Sequence, residues 1–228
     1  VDRVSSLLPS TLAEIKHDVH ENVFVLSSDL NGGKAEAVRQ GALFLYQETD
    51  VKTIGFLDAD LSTSFVEYAN LIRSYECKEE VKVIFGSRNL NKSENKIDRN
   101  PFRNIVSACI GFLIRMIIRL DIKDTQCGAK VFDRNLIPMI YKESFFSRWL
   151  FDVEILLRLR HKLGVSRFLN AFREIPLKRW VHMDDSKLSL KDSVMIPFNL
   201  LKIWKEYEGK SLTGLFNLKN IRKNLLST

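Results

Sequence analysis

Asp58-Ala59-Asp60 is the stretch of this sequence best suited to chemistry. The two carboxylates stand one residue apart, directly after the apolar run TIGFL at 53–57. Ionised groups at the end of a buried strand are costly without a countercharge. Mg²⁺ and Mn²⁺ take oxygen ligands, commonly one or two carboxylates with substrate phosphates completing the shell. The spacing therefore suits a cation that neutralises a diphosphate leaving group. The same triplet also occurs as two exposed, helix-capping acids, and it is the position after TIGFL that favours the metal site.

Three further groups carry chemistry. Asn31-Gly32-Gly33-Lys34 leads into a helical stretch, where glycines permit close backbone approach and free N–H groups face an anion. It is not a Walker A loop, because Ala35 follows the lysine. An ordinary turn with a solvated lysine fits these four residues equally well. Arg88 follows a strand, and Arg99, Arg103 and Ser107 come within the next twenty residues. Arg103 and Ser107 are spaced to share a helix face. Guanidinium forks suit phosphate oxygens, although a solvated basic face has the same composition. The position of Arg88 favours function, because its strand is expected beside the Asp58 strand. Asp124-Thr125-Gln126-Cys127-Gly128 is a polar turn before another strand, and Asp124 either orients an acceptor or caps the turn. Asp152 and Glu154 open a helix, where the helix dipole alone favours acids.

These residues need elements to hold them. Helices are expected over 7–17, 34–47, 64–76, 101–120, 136–142, 150–163 and 193–208. In the second of these, Ala37, Gly41, Phe44 and Leu45 are read as facing inward. Strands are expected over 22–27, 51–57, 81–85, 129–132 and 172–180, the last with Pro176 marking an edge or bulge. Residues 89–100 and 184–187 read as loops. Alternating strands and helices predict an α/β fold with a mostly parallel central sheet flanked by helices. Ligands in such folds bind beyond the carboxyl ends of the strands.

Composition sets the limits. The chain has 228 residues, enough for one domain with a sizeable core. Its net charge of +7 favours an anionic partner: a phosphorylated substrate, an acidic membrane surface or nucleic acid. The basic residues are scattered without paired aromatic platforms, which argues against nucleic acid. Cys77, Cys109 and Cys127 form no CxxC pair, so a reducing compartment is expected and neither zinc nor a disulfide framework is. Asp2, Arg3 and Pro9 are out of place in a signal peptide. Arg115 and Arg119 interrupt the longest apolar stretch, 105–120, so no membrane span is expected. The four histidines converge on no ligand pattern. The basic C-terminal end is either a solvated tail or an attraction to anionic lipid.

In order along the chain, NGGKAEAVRQG (31–41), FLDADLST (56–63), FGSR (85–88), DTQCGAKVF (124–132), RWLFDVEIL (148–156) and EIPLKRW with a later SKL (186–188) resemble the family 2 glycosyltransferases. Within that family they resemble the dolichyl-phosphate β-glucosyltransferase and polyprenyl-phosphate sugar transferase group. The resemblance spans almost the whole chain. DTQCG together with FDVE is far more specific than the acidic triplet alone.

The resemblance implies a GT-A fold and an inverting, metal-dependent transfer of a hexose, with UDP-glucose the implied donor. The implied acceptor is a polyprenyl or dolichyl phosphate. Asp58 and Asp60 would bind Mg²⁺ or Mn²⁺ and the donor diphosphate, with Asn31, Gly33 and Lys34 also on the donor side. Arg88, Arg103, Ser107 and Lys187 match acceptor-phosphate positions. Asp60 and Asp124 stand as catalytic. A phosphate monoester, with its second pKa of about 6, is already an anionic nucleophile and needs positioning more than a base. The expected location is cytoplasmic, peripheral on an anionic membrane face, through the 105–120 helix or the basic tail.

The family's opening motifs, a Pro-x-Tyr-Asn-Glu type segment and Asp-Asp-Gly-Ser, are absent. Val1-Asp2-Arg3 resembles the residues just after the second motif. One glycosyltransferase domain lacking about two N-terminal strands is therefore expected over 1–228, with 193–228 its amphipathic helix and basic tail. Asp185 stands where the family often has Gly before SKL. Two other readings remain: transfer to a saccharide hydroxyl, with Asp124 or Asp152 as base, and a non-catalytic module that keeps the fold.

Overall fold

The computed structural model describes residues 24–27, 31–60, 62–77, 79–88, 111, 113–115, 117–118, 122–181 and 190–207. The expected helix over 7–17, the loops at 89–100 and 184–187, most of the 101–120 helix and the tail lie outside the described residues. The chain forms two compact units, 1–32 and 33–228.

In the first unit, residues 24–27 make no strand, although NVFVLS has strand composition. Phe24 and Leu26 are exposed. β-Propensity reflects packing on a sheet face rather than an intrinsic backbone preference, so composition alone does not make a ladder.

The second unit begins with α1 (Gly33–Glu48). Next come β1 (Thr53–Leu57), α2 (Phe65–Glu76), β2 (Val83–Ser87) and β3 (Ala129–Asp133). A single 3₁₀ turn leads into α3 (Ile137–Tyr141), then α4 (Phe151–Leu163), α5 (Val165–Ala171), β4 (Phe172–Pro176) and α6 (Leu190–Tyr207). Residues 111, 113–115 and 117–118 are also helical. The short helix α5 comes after Gly164, whose φ of 79° ends α4, and sequence periodicity does not separate it from its surroundings.

The α/β fold is as expected, but the strand pairing differs. The sheet order is β1-β3-β2-β4. β3 runs antiparallel to both β1 and β2, whereas β2 and β4 pair in parallel. The Asp58 and Arg88 strands therefore point the same way but are not neighbours: β3 lies between them. Alternation of strands and helices shows which strands share a direction, but it does not reveal a later strand inserted the other way. Pro176 ends β4 at one edge of the sheet, where a missing N–H costs least.

Both sheet faces are covered. Ile54, Val83, Phe85 and Phe132 pack into one cluster with α1, α3, α4 and α6. Ile84, Ala129 and Val131 pack on the other side with Leu71, Tyr68 and Ile72 of α2. α1 is a helix as expected, and Leu45 packs on the core as expected, but Ala37 is exposed, and Ala35 and Ala42 are the buried residues, with Val38 beside them. Ser64 caps α2 by accepting from the Glu67 N–H at 3.3 Å.

Candidate active site

The carboxyl ends of β1, β2 and β4 and the amino end of β3 lie at the same end of the sheet. The Asp58 N–H donates to the Gly128 carbonyl at 2.8 Å, and the Leu177 N–H donates to the Ser87 carbonyl at 2.8 Å. Two charge clusters form there, one from the acidic triplet and one from the turn 124–128.

In the first, Lys34 on the opening turn of α1 places Nζ 2.6 Å from Asp58 Oδ1. The contact is an ion pair, not a well-angled hydrogen bond. Gly33 opens α1 with a φ of 79°, a conformation that favours glycine, and a Cβ there would meet Arg148 Cδ at 3.3 Å. The ammonium also lies 5.9 Å and 5.7 Å from the Phe56 and Phe151 ring centroids. Gly128 forms a wall against the carboxylate, since a Cβ on it would fall 2.1 Å from Asp58 Cγ. Asp60 faces outward, and its Oδ1 accepts from the Ser62 N–H at 2.9 Å and the Ser62 hydroxyl at 2.6 Å. Burial pushes the Asp60 carboxyl up, but the Ser62 hydrogen bonds and then the Lys34 charge outweigh it and leave it below the usual range.

The donor set of this cluster suits a hard divalent cation. It offers two carboxylates on a three-residue turn, and no group of three or more His, Cys, Asp or Glu side chains closes a metal site among the described residues. Two protein oxygens leave most of a coordination shell to phosphate and water, the usual arrangement for Mg²⁺.

In the second cluster, Asp124 is buried and holds Arg88 by a fork. Arg88 Nε donates to Oδ2 at 2.7 Å and Nη2 to Oδ1 at 2.8 Å. The Arg88 N–H donates to Oδ2 at 2.9 Å, and the Asp124 N–H is taken by Glu174 Oε1 at 2.7 Å. Arg88 also lies 5.5 Å from the Trp180 ring. Burial pushes the Asp124 carboxyl up, but Arg88 more than reverses this and holds it below the usual range. Gln126, on the same turn, has a buried Nε2 without an acceptor among the described residues, a donor available to a ligand.

Of the site residues expected from sequence, the structure brings Lys34 to Asp58 and Arg88 to Asp124. Gly33 opens α1 and Asp60 lies on the turn after β1. Asn31 belongs to the first unit. Arg103, Ser107 and Lys187 lie outside the described residues, as does Arg99. Sequence reasoning does not single out Gln126 or Lys130. Lys130 is fully buried with Nζ 2.8 Å from Asp152 Oδ1. The available signal is a lysine within AKVFD, a strand apolar enough to be covered on both faces.

No protein-family model matches the chain. Over 81% of its length it is 29% identical to a dolichyl-phosphate β-glucosyltransferase of Trichomonas vaginalis, covering 54% of that protein. It is 31% identical to the Drosophila melanogaster dolichyl-phosphate β-glucosyltransferase over 89% of the chain and 59% of the relative. The Saccharomyces cerevisiae enzyme of the same name is also 31% identical, over 82% of the chain and 56% of the relative. The chain thus spans somewhat more than half the length of the curated relatives it matches. Among solved structures, Mycobacterium tuberculosis glucosyl-3-phosphoglycerate synthase in complex with Mn²⁺ and UDP-glucose superposes with a TM-score of 0.54. That match covers 77% of this chain and 56% of the other, at 15% identity. In sequence the chain is similar to dolichyl-phosphate β-glucosyltransferases, and it has the GT-A fold.

Proposed function

We propose that the protein carrying this chain transfers glucose, with inversion, from UDP-glucose to a dolichyl or related polyprenyl phosphate. The observation that carries this reading is the fork between Arg88 and Asp124. A general base works best with a pKa near the operating pH. Asp124 is held below the ordinary carboxylate range and both its oxygens are engaged, so it is poorly suited to take a proton from an alcohol. An acceptor phosphate needs no such base. It needs a fixed cation, and Asp124 fixes Arg88.

In this reading an acceptor phosphate oxygen attacks the anomeric carbon as the bond to the nucleoside diphosphate breaks on the opposite face. Arg88, with Arg103, Ser107 and Lys187, holds the acceptor phosphate. Lys34 and the amino end of α1 face the donor diphosphate. Asp58 and Asp60 would hold Mg²⁺ or Mn²⁺, which when bound neutralises charge on the leaving diphosphate. Asp58 is kept in place by Lys34 and Gly128, and Asp60 by Ser62.

No helix among the described residues is long and apolar enough to cross a membrane. The lipid acceptor would be met at an anionic membrane surface. α6 supports this contact, because Met195, Phe198 and Leu201 are exposed on the same side as Lys202 and Lys205.

The test is transfer from UDP-[¹⁴C]glucose to dolichyl phosphate by the full-length protein with Mn²⁺ or Mg²⁺. Organic-extractable, acid-labile glucose is expected. If no sugar reaches any polyprenyl phosphate across a panel of nucleotide sugars, the reading fails. Activity on a saccharide that survives Arg103→Ala but not Asp124→Asn would replace it with the hydroxyl-acceptor reading.

A further inference from the structure

Lys130 is an unusual residue to find in the middle of a sheet. It is fully buried on β3, in register between Phe56 of β1 and Phe85 of β2. Its ammonium lies 5.2 Å and 4.6 Å from those two ring centroids, on the negative faces that favour a cation. It donates to the Cys127 carbonyl and pairs with Asp152 at the start of α4. Asp152 is itself almost fully buried, and its Oδ1 has no other hydrogen-bond partner among the described residues.

A buried ion pair is weak support for a fold, because the desolvation it costs often matches or exceeds the attraction it provides. Well-packed apolar residues of similar volume would hold this sheet as well. The location of the pair suggests what it does instead. The Cys127 carbonyl belongs to the residue before Gly128, and Gly128 is the wall against which the Asp58 carboxylate rests. Lys130 thus ties the turn 124–128, the strands on either side of β3 and the start of α4 together.

We infer that Lys130 is a positioning residue: paired with Asp152 and bonded to the Cys127 carbonyl, it holds the Gly128 wall and so sets the Asp58 carboxylate for the cation and the donor diphosphate. This rests on the proposed donor side of the glucosyl-transfer reading. The consequence is selective, because donor-side properties should depend on the pair while acceptor affinity and the fold should not.

The test compares full-length wild type with K130M/D152L, which removes both charges together and also takes the lysine donor from the Cys127 carbonyl. Three quantities are measured: Mn²⁺ affinity by electron paramagnetic resonance titration, the separate KM values for UDP-glucose and dolichyl phosphate, and the thermal midpoint. The expected result is a midpoint at or above that of wild type. Mn²⁺ affinity should be at least tenfold weaker and the donor KM at least tenfold higher, with the acceptor KM within threefold. K130Q/D152N, which keeps a hydrogen bond without charges, should give the same pattern where the apolar pair does not fold. Mn²⁺ affinity and donor KM within threefold of wild type in a folded double variant would overturn the inference, as would unfolding of both double variants. If wild type transfers no glucose, the transfer reading fails and the Mn²⁺ titration alone decides this one. A wild type that binds no Mn²⁺ overturns it as well.

Discussion

Arg88 and Asp124 meet fork to fork, with Nε 2.7 Å from Oδ2 and Nη2 2.8 Å from Oδ1. The carboxylate side chain is only 3% exposed and the guanidinium 29%. One member is thus a buried anchor and the other reaches the surface. Arg88→Lys keeps the charge but loses the parallel pair of bonds. Sugar transfer is expected to fall at least tenfold, chiefly through a higher acceptor KM, which steady-state kinetics with varied dolichyl phosphate would show. Arg88→Ala leaves a buried carboxylate unpaired and should cost about 3–5 kcal/mol in urea denaturation.

The same pair sets an acid limit. The folded-state pKa of Asp124 is depressed, against about 3.9 in an unfolded chain. Its stabilisation is therefore fully present above about pH 4 and lost as the pH falls through the folded value. Unfolding free energy measured from pH 6 down to pH 2 should drop more steeply for wild type than for Asp124→Asn. Parallel profiles for the two proteins would show that the fork contributes nothing to acid stability.

Gly128→Ala tests the wall behind the acidic triplet. The added methyl would fall 2.1 Å from Asp58 Cγ and 2.2 Å from Oδ2, so the carboxylate must move. Overpacking of this kind costs about 1–3 kcal/mol. The more telling readout is Mn²⁺ affinity, expected to weaken at least tenfold. Gly41→Ala, at a glycine with open space around it, serves as the control and should leave Mn²⁺ binding unchanged.

The outer side of α6 gives a membrane prediction. Replacing Phe198 and Leu201, 58% and 59% exposed, with Glu should lower cosedimentation with phosphatidylserine vesicles severalfold. The thermal midpoint should hardly change, because neither side chain is in the core. Unaltered cosedimentation would move the contact elsewhere on the protein.

Most elements of the second unit are legible in the sequence because their apolar runs end in punctuation. TIGFL stops at Asp58, Ser64 caps α2, and Gly164 ends α4. The inward face of α1 is not legible: alanine and glycine carry little hydrophobic signal, and burial of Ala35 and Ala42 is decided by the sheet beneath them. The Arg88–Asp124 pair is half legible. Each residue stands out by its place near a strand end, but their partnership depends on β3 pairing antiparallel with β2. Lys130 is hidden for the opposite reason. A charged residue in a strand reads as solvent-facing, and it is Asp152, the Cys127 carbonyl and the Phe56 and Phe85 rings, all brought in by the fold, that make a dry position tolerable.

The inserted strand also has a bearing on how the molecule comes together. Leu57 must find Ala129, far along the chain, before the acidic triplet acquires its Gly128 wall. Such distant pairings carry high contact order and close slowly. The end of the sheet that carries Asp58 and Gly128 thus depends on a pairing between distant parts of the chain, whose loop-closure entropy must be met before its contacts form.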